Sequence, residues 1–148
     1  MNLTQLIHAN VQKHQEQPAV CYQGQSLTYA ELGDRVARLA GVLKELGVGA
    51  GDRIALMAMN SSRYVEVLFG VPWAGGVFSL VNIRWNIDEV AYGLQDSGAR
   101  ILIVDDTFAP MVPALLEAVP ELESVIFTGD GQCPNGLLCY ETLLAAAH

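Results

Sequence analysis

Positive charge is scarce in this sequence. Eight Lys and Arg residues stand against sixteen Asp and Glu, for a formal net charge of −8, and only Lys13 and Lys44 are lysines. A protein that tracks nucleic-acid phosphates needs a basic surface, so this balance argues against one. It argues equally against docking on anionic lipid. Cysteine is scarce too: Cys21, Cys133 and Cys139 cannot all pair within one chain. The start, Met1 to Gln17, is polar and carries no secretory pattern, so reduced thiols in a cytoplasmic protein are expected. Cys133 and Cys139 are too far apart for a CxxC motif and have no flanking histidine, which argues against zinc. Long apolar runs are also missing. The longest, Val67 to Val81, is broken by Pro72, Gly75, Gly76 and Ser79 and falls short of the roughly 20 residues a membrane span needs.

What is present is enough apolar material for a core. Hydrophobic residues make up 51% of the 148 and charged ones 16%, which excludes intrinsic disorder and suits one domain, 1–148. Leu3, Leu6, Ile7 and Val11 recur at helical spacing. Ala19 to Tyr22 and a turn at Gly24 predict a hairpin. Thr28-Tyr29-Ala30-Glu31 reads as a capping box between the staple residues Leu27 and Leu32. Behind it Leu32, Val36, Leu39, Leu43 and Leu46 form one helical stripe, stopped at Gly47, Gly49 and Gly51. Arg53 to Met59 has strand length, and Asn60-Ser61-Ser62 offers caps for a helix through Phe69. Val77 to Val81 predicts another strand, and Asn86 to Glu89 repeats the capping logic for a helix that stops at Ser97-Gly98. Ile101 to Val104 and Val125 to Phe127 read as buried strands, with a helix through Met111, Leu115 and Leu116 between them. A loop over Gly129 to Gly136 and a short helix, Tyr140 to Ala147, follow. Strands that are apolar throughout are buried on both faces, so the expected fold is α/β, doubly wound, with a mainly parallel sheet and helices on both faces.

The chemistry has to be sought separately from the fold. A phosphate cradle needs clustered glycines and usually a lysine. Both lysines sit in helical patterns away from glycine loops, and Gly47, Gly49 and Gly51 follow a helix, so they make a turn. Gly129-Asp130-Gly131 follows a strand, but Pro134 comes soon after and no long helix begins there, so a loop is preferred to a cradle. There is no G-x-S-x-G elbow, and His8, His14 and His148 bracket no nucleophile. Asp105 and Asp106, at the end of a buried strand, resemble the metal-binding acids of a phospho-receiver domain. The required later aspartate and lysine are missing, so capping of the next helix is the preferred explanation. No catalytic residue and no metal ligand is assigned.

Six segments in register carry a resemblance. Leu27-Thr28-Tyr29-Ala30-Glu31-Leu32 resembles the first core motif of the adenylate-forming superfamily, which includes acyl-CoA synthetases. Gly51-Asp52-Arg53-Ile54-Ala55 resembles its "GDRVA" strand entry, and Asn60-Ser61 its "NS". Trp73-Ala74-Gly75-Gly76-Val77 resembles the second core motif, Val81-Asn82-Ile83-Arg84-Trp85 the "N-x-R-L" segment, and Asp96-Ser97-Gly98-Ala99-Arg100 the "DSGAR" strand. The similarity runs from about Leu3 to Leu144, and its variants look most like bacterial fatty-acid–CoA ligases and related aryl-acid ligases.

The resemblance implies an N-terminal portion of a larger AMP-binding domain. In such an enzyme a carboxylate attacks the α-phosphorus of Mg-ATP to give an acyl-adenylate and pyrophosphate, and the thiol of CoA then displaces AMP. ATP, Mg2+ and CoA are therefore implied for the full enzyme, and none is expected to bind tightly to this piece. The family's phosphate loop, metal glutamate and late lysine all come after the motifs found here, so none is carried over. Arg84 occupies an arginine position that in some relatives lies near the CoA nucleotide, where it could contact phosphate; a salt bridge or a helix-end role competes. The implied partners are the remainder of the synthetase chain and a small carboxylate, with homo-oligomerisation open. The competing class is a stand-alone, non-catalytic binding or interaction module.

Overall fold

A computed structural model describes residues 3–147, so His148, expected above to bracket no nucleophile, and the first two residues lie outside the described part. Helix α1 (Leu3–Lys13) leads into an antiparallel pair, β1 (Pro18–Tyr22) and β2 (Gln25–Thr28). Their turn places Gln23 and Gly24 at φ 49° and 74°, the left-handed pair that a tight hairpin with right-handed strand twist requires. Helix α2 (Tyr29–Glu45) follows directly. Thr28 accepts from the Glu31 amide, which is half of the expected box. The reciprocal bond is formed at Asn86–Glu89, where both halves are present. Thr28 also closes β2 opposite Pro18, so this cap belongs to a strand end.

The remaining elements alternate: β3 (Arg53–Met57), α3 (Ser62–Trp73), β4 (Val77–Leu80), α4 (Ile87–Ser97), β5 (Ile101–Val104), a 3-10 turn at Ala109–Met111, α5 (Val112–Ala118), β6 (Ser124–Phe127), β7 (Leu138–Cys139) and α6 (Tyr140–Ala146). The five strands from β3 to β7 form one parallel sheet in the order β4-β3-β5-β6-β7. Alternate residues of the central strands face opposite ways. Ile54, Leu56, Ile101, Ile103 and Ile126 join Leu39, Leu43, Val67, Val71 and Tyr140 in one core, so α2, α3 and α6 cover that face. Ala55, Met57, Leu102, Val104 and Val125 join Val90, Leu94, Val112 and Leu115 in the other, under α4 and α5. The sheet is doubly wound as expected.

Two strands depart from the reading. Val77 to Val81 was expected to be buried, yet β4 is an edge strand with Val77 49% and Leu80 51% exposed. It has a sheet neighbour on one side only. Strand β7 was not anticipated, because two residues carry no periodicity. Helix α1 stands off the sheet, with Ile7 buried against Leu32 and Val36. No helix among the described residues is long and apolar enough to cross a membrane.

Candidate functional site

In the order β4-β3-β5 the chain reverses its winding direction between β3 and β5. Crossovers leave to opposite faces there, and a crevice opens at the carboxyl ends of the two strands. A cavity of about 710 Å³ lies at that point. The loop after β3 lines it with Met59, Asn60 and Ser61, and the loops after β5 and β6 add Asp105, Asp106, Thr128 and Asp130. The β1–β2 hairpin leans over it with Tyr22 and Gln25.

Asp105 and Asp106 do not cap a helix, which corrects the preferred explanation. Asp105 accepts from the Met59 amide at 2.8 Å and the Thr107 amide at 3.1 Å. Asp106 accepts from the Asp130 amide at 2.8 Å and the Gly131 amide at 3.2 Å. The acids thus tie the loops after β3 and β6 to the end of β5. Their bonds run across the sheet to other strands, and the next helical turn starts only at Ala109. Gly129 and Gly131 are the glycines this needs: a Cβ on Gly131 would lie 2.6 Å from Asp106 Oδ1, and one on Gly129 would meet the Asp106 carboxylate and Phe127. The loop reading of Gly129-Asp130-Gly131 therefore has a physical cause. Thr128 completes the rim, donating its hydroxyl to the Val104 carbonyl at 3.2 Å.

Beneath the rim runs a charge network that sequence reasoning missed. Glu66 on α3 is 1% exposed. It accepts from Arg35 of α2 at 2.7 and 3.2 Å and from the Tyr140 hydroxyl of α6 at 2.6 Å. Glu141 accepts from Arg35 at 2.7 Å and from Arg63 at 2.9 Å. Arg63 also donates to Asp130 at 2.7 Å and to the Thr128 carbonyl at 2.9 Å. Burial works against the Arg35 charge, but the bonds to Glu141 and Glu66 outweigh it and raise its pKa. Arg63 is raised the same way, its bonds to Asp130 and Glu141 overcoming burial. Burial, reinforced by the Glu66 charge, holds the Tyr140 phenol well above its ordinary range. Burial pushes the Glu141 carboxyl up, but Arg35 and Arg63 outweigh it and leave it lowered. No sequence pattern marks these pairs, whose members lie 31, 74, 78 and 106 residues apart.

Both arginines on the cavity wall are thus committed to carboxylates, and Glu66, Asp105, Asp106, Asp130 and Glu141 outnumber them. These residues do not by themselves fit a triphosphate, which needs uncommitted cations and amides. Among the described residues no group of His, Cys, Asp and Glu is arranged to hold a metal ion.

Arg84 lies outside this cavity, exposed in the loop between β4 and α4, with its amide donating to Asn82 Oδ1 at 3.0 Å. Arg84 stands two residues before the Asn86 cap, on the N-terminal side of α4, where the helix dipole disfavours a cation. The cysteine expectation fails at two positions. Cys133 and Cys139 are disulfide-bonded, while Cys21 is free and exposed. Pro134 and Gly136, at φ 86°, fold the intervening loop back so that the two Cα atoms lie 5.9 Å apart.

The fold and the switch-point crevice define an open, doubly wound α/β domain. The chain belongs to the AMP-binding enzyme family, whose model matches residues 7–143. It is 40% identical over 119 residues to the fatty acid–acyl-carrier-protein ligase ScoC of Streptomyces coeruleorubidus, covering 80% of this chain and 23% of that protein. It is 37% identical over 117 residues to a long-chain-fatty-acid–CoA ligase of Thermus thermophilus, covering 79% of this chain and 21% of the relative. In fold it matches the anthranilate CoA ligase AuaEII, solved in complex with anthranoyl-AMP, at a TM-score of 0.93 and 24% identity, over 99% of this chain and 28% of that one. The chain spans about a fifth of the length of the curated relatives it matches.

Proposed function

We propose that residues 1–148 are the N-terminal segment of the large domain of an AMP-forming acid–thiol ligase of the fatty-acid–CoA ligase type, working in the cytoplasm. The longer enzyme joins a carboxylic acid to CoA, with ATP converted to AMP and pyrophosphate through an acyl-adenylate. The observation that carries this reading is the similarity to two relatives both named as fatty-acid ligases, at 40% and 37% identity. In this reading the segment supplies a supporting sheet and one wall of the switch-point crevice. The triphosphate grip and the Mg2+ ligands come from other parts of the longer chain, since the cations on this wall are already paired. Arg84, exposed and two residues before the N-cap of α4, contacts a phosphate of CoA in this reading.

The test is carboxylate-dependent exchange of labelled pyrophosphate into ATP, run with the longer polypeptide and with 1–148. Exchange by the former and none by the latter is expected. Turnover by 1–148 alone would overturn the reading, and failure of both, with a thermal shift of 1–148 by some other small ligand, would favour a binding module.

A further inference from the structure

We propose that Cys133 and Cys139 form a reversible thiol–disulfide latch beside the switch-point cavity, opened by a small dithiol. The inference rests on the proposed reading for its compartment alone. Disulfides that form in a reducing cytoplasm are characteristically transient and redox-sensing, so this bond in that location is one that opens and closes.

The geometry shows what the bond holds. On its N-terminal side, Asp106 and Arg63 fix Asp130 and Gly131. On its C-terminal side, Tyr140 and Glu141 anchor α6 through Glu66, Arg35 and Arg63. The stretch 132–139 between these anchors packs Leu138 and Leu137, both partly buried, against the two cores, and has few hydrogen bonds of its own. It carries one backbone turn, from the Leu137 amide to the Pro134 carbonyl at 3.2 Å, and strand β7, which meets β6 only at Ile126–Leu138 and Phe127–Cys139. Cys139 is itself half of β7. Both cysteines are partly exposed, so a soluble thiol can reach them. The cavity residues Asp130 and Glu141 sit just outside the two ends of the bridged stretch. Opening the bond loosens the loop and strand β7 that link Asp130 to Glu141, while the anchors and central strands stay in place.

The exchange balances. A thiolate of the dithiol attacks one protein sulfur, the Cys133–Cys139 bond breaks, and a mixed disulfide forms. The second thiol of the reductant then displaces the protein sulfur and leaves as a cyclic disulfide. Two electrons and two protons pass to the protein, giving two thiols. An oxidised low-molecular-weight disulfide reverses the step.

The experiment is hydrogen–deuterium exchange read by mass spectrometry on the chain carrying Cys21→Ser, after dithiothreitol or oxidised glutathione. Two thiols should appear and disappear reversibly. Amides of Leu137, Leu138 and Cys139 should exchange at least about tenfold faster in the reduced form, while β5 keeps its protection. Adding Cys133→Ser should fix the fast pattern under both conditions. Thiols that stay free at every glutathione ratio, a bond that folded protein never releases, equal exchange in the two states, or loss of protection throughout the chain would each overturn the latch. Adenylation plays no part in this readout, so failure of the ligase reading would show in the pyrophosphate assay instead.

Discussion

Arg35→Met should cost about 3 kcal/mol of folding stability. The substitution keeps most of the aliphatic stem of Arg35 and removes the guanidinium that bonds twice to Glu66. Glu66 is 1% exposed, so its carboxylate is left with the Tyr140 hydroxyl alone. Stripping one partner from a buried pair costs roughly 3–5 kcal/mol, because the remaining charge has lost its solvent and its counter-ion. Arg35 is 25% exposed, so water replaces part of what is lost, which argues for the lower end. The other partner, Glu141, is half exposed and keeps Arg63, so its loss adds at most about 1 kcal/mol. Urea unfolding followed by circular dichroism on the chain measures the difference. If the cost is the orphaned carboxylate, Arg35→Met with Glu66→Met and Tyr140→Phe should recover most of it, since apolar replacement of a whole buried network is often near neutral. A single-variant loss below about 1 kcal/mol, or a triple variant less stable than the single one, would refute the reasoning.

Gly70→Ala should be destabilising although it sits inside α3, where alanine gains about 1 kcal/mol of helix propensity. The added Cβ would lie 2.5 Å from Leu39 Cδ2, and Leu39 is fully buried. Overpacking of that kind costs roughly 1–3 kcal/mol, so a net loss of about 1 kcal/mol is expected from denaturant midpoints, and a stabilised variant would contradict it. Glu141 makes stability depend on pH. Its folded pKa is depressed by Arg35 and Arg63 against burial, so its contribution is complete above the ordinary glutamate value of about 4.3 and fades as pH falls through the folded value. Glu141→Gln should therefore melt below the parent at pH 7 by no more than about 1 kcal/mol, with the gap closing in acid. A gap that widened in acid would reverse the assigned sign.

How much was readable from sequence depended on the reach of each interaction. The central strands announced themselves because burial on both faces makes Ile101 to Val104 apolar throughout. The caps at Thr28, Ser61 and Asn86 are bonds to amides three residues on, well within a local pattern. The Arg35–Glu66–Tyr140–Glu141 network joins three helices that only the fold brings together, and nothing local distinguishes Arg35 from Arg38, the other arginine of α2. Asp105 and Asp106 were visible as a pair, but their partners lie on two other loops, so the pair was assigned to the nearest helix. The bond between Cys133 and Cys139 runs against the expected reducing compartment, although a separation of six with Pro134 and Gly136 in between can close a short loop.

Strand order is the most consequential thing that alternation leaves open. Alternating strands and helices are compatible with more than one parallel order, and each puts its crevice between a different strand pair. Only when β3 is seen between β4 and β5 does the crevice fall over Asn60, Asp105 and Thr128. The acids that looked like a metal site then appear as braces for its rim. The same order leaves β4 and β7 as edges, so the half-exposed apolar side chains of β4 follow from the one feature of the sheet that no run of residues encodes.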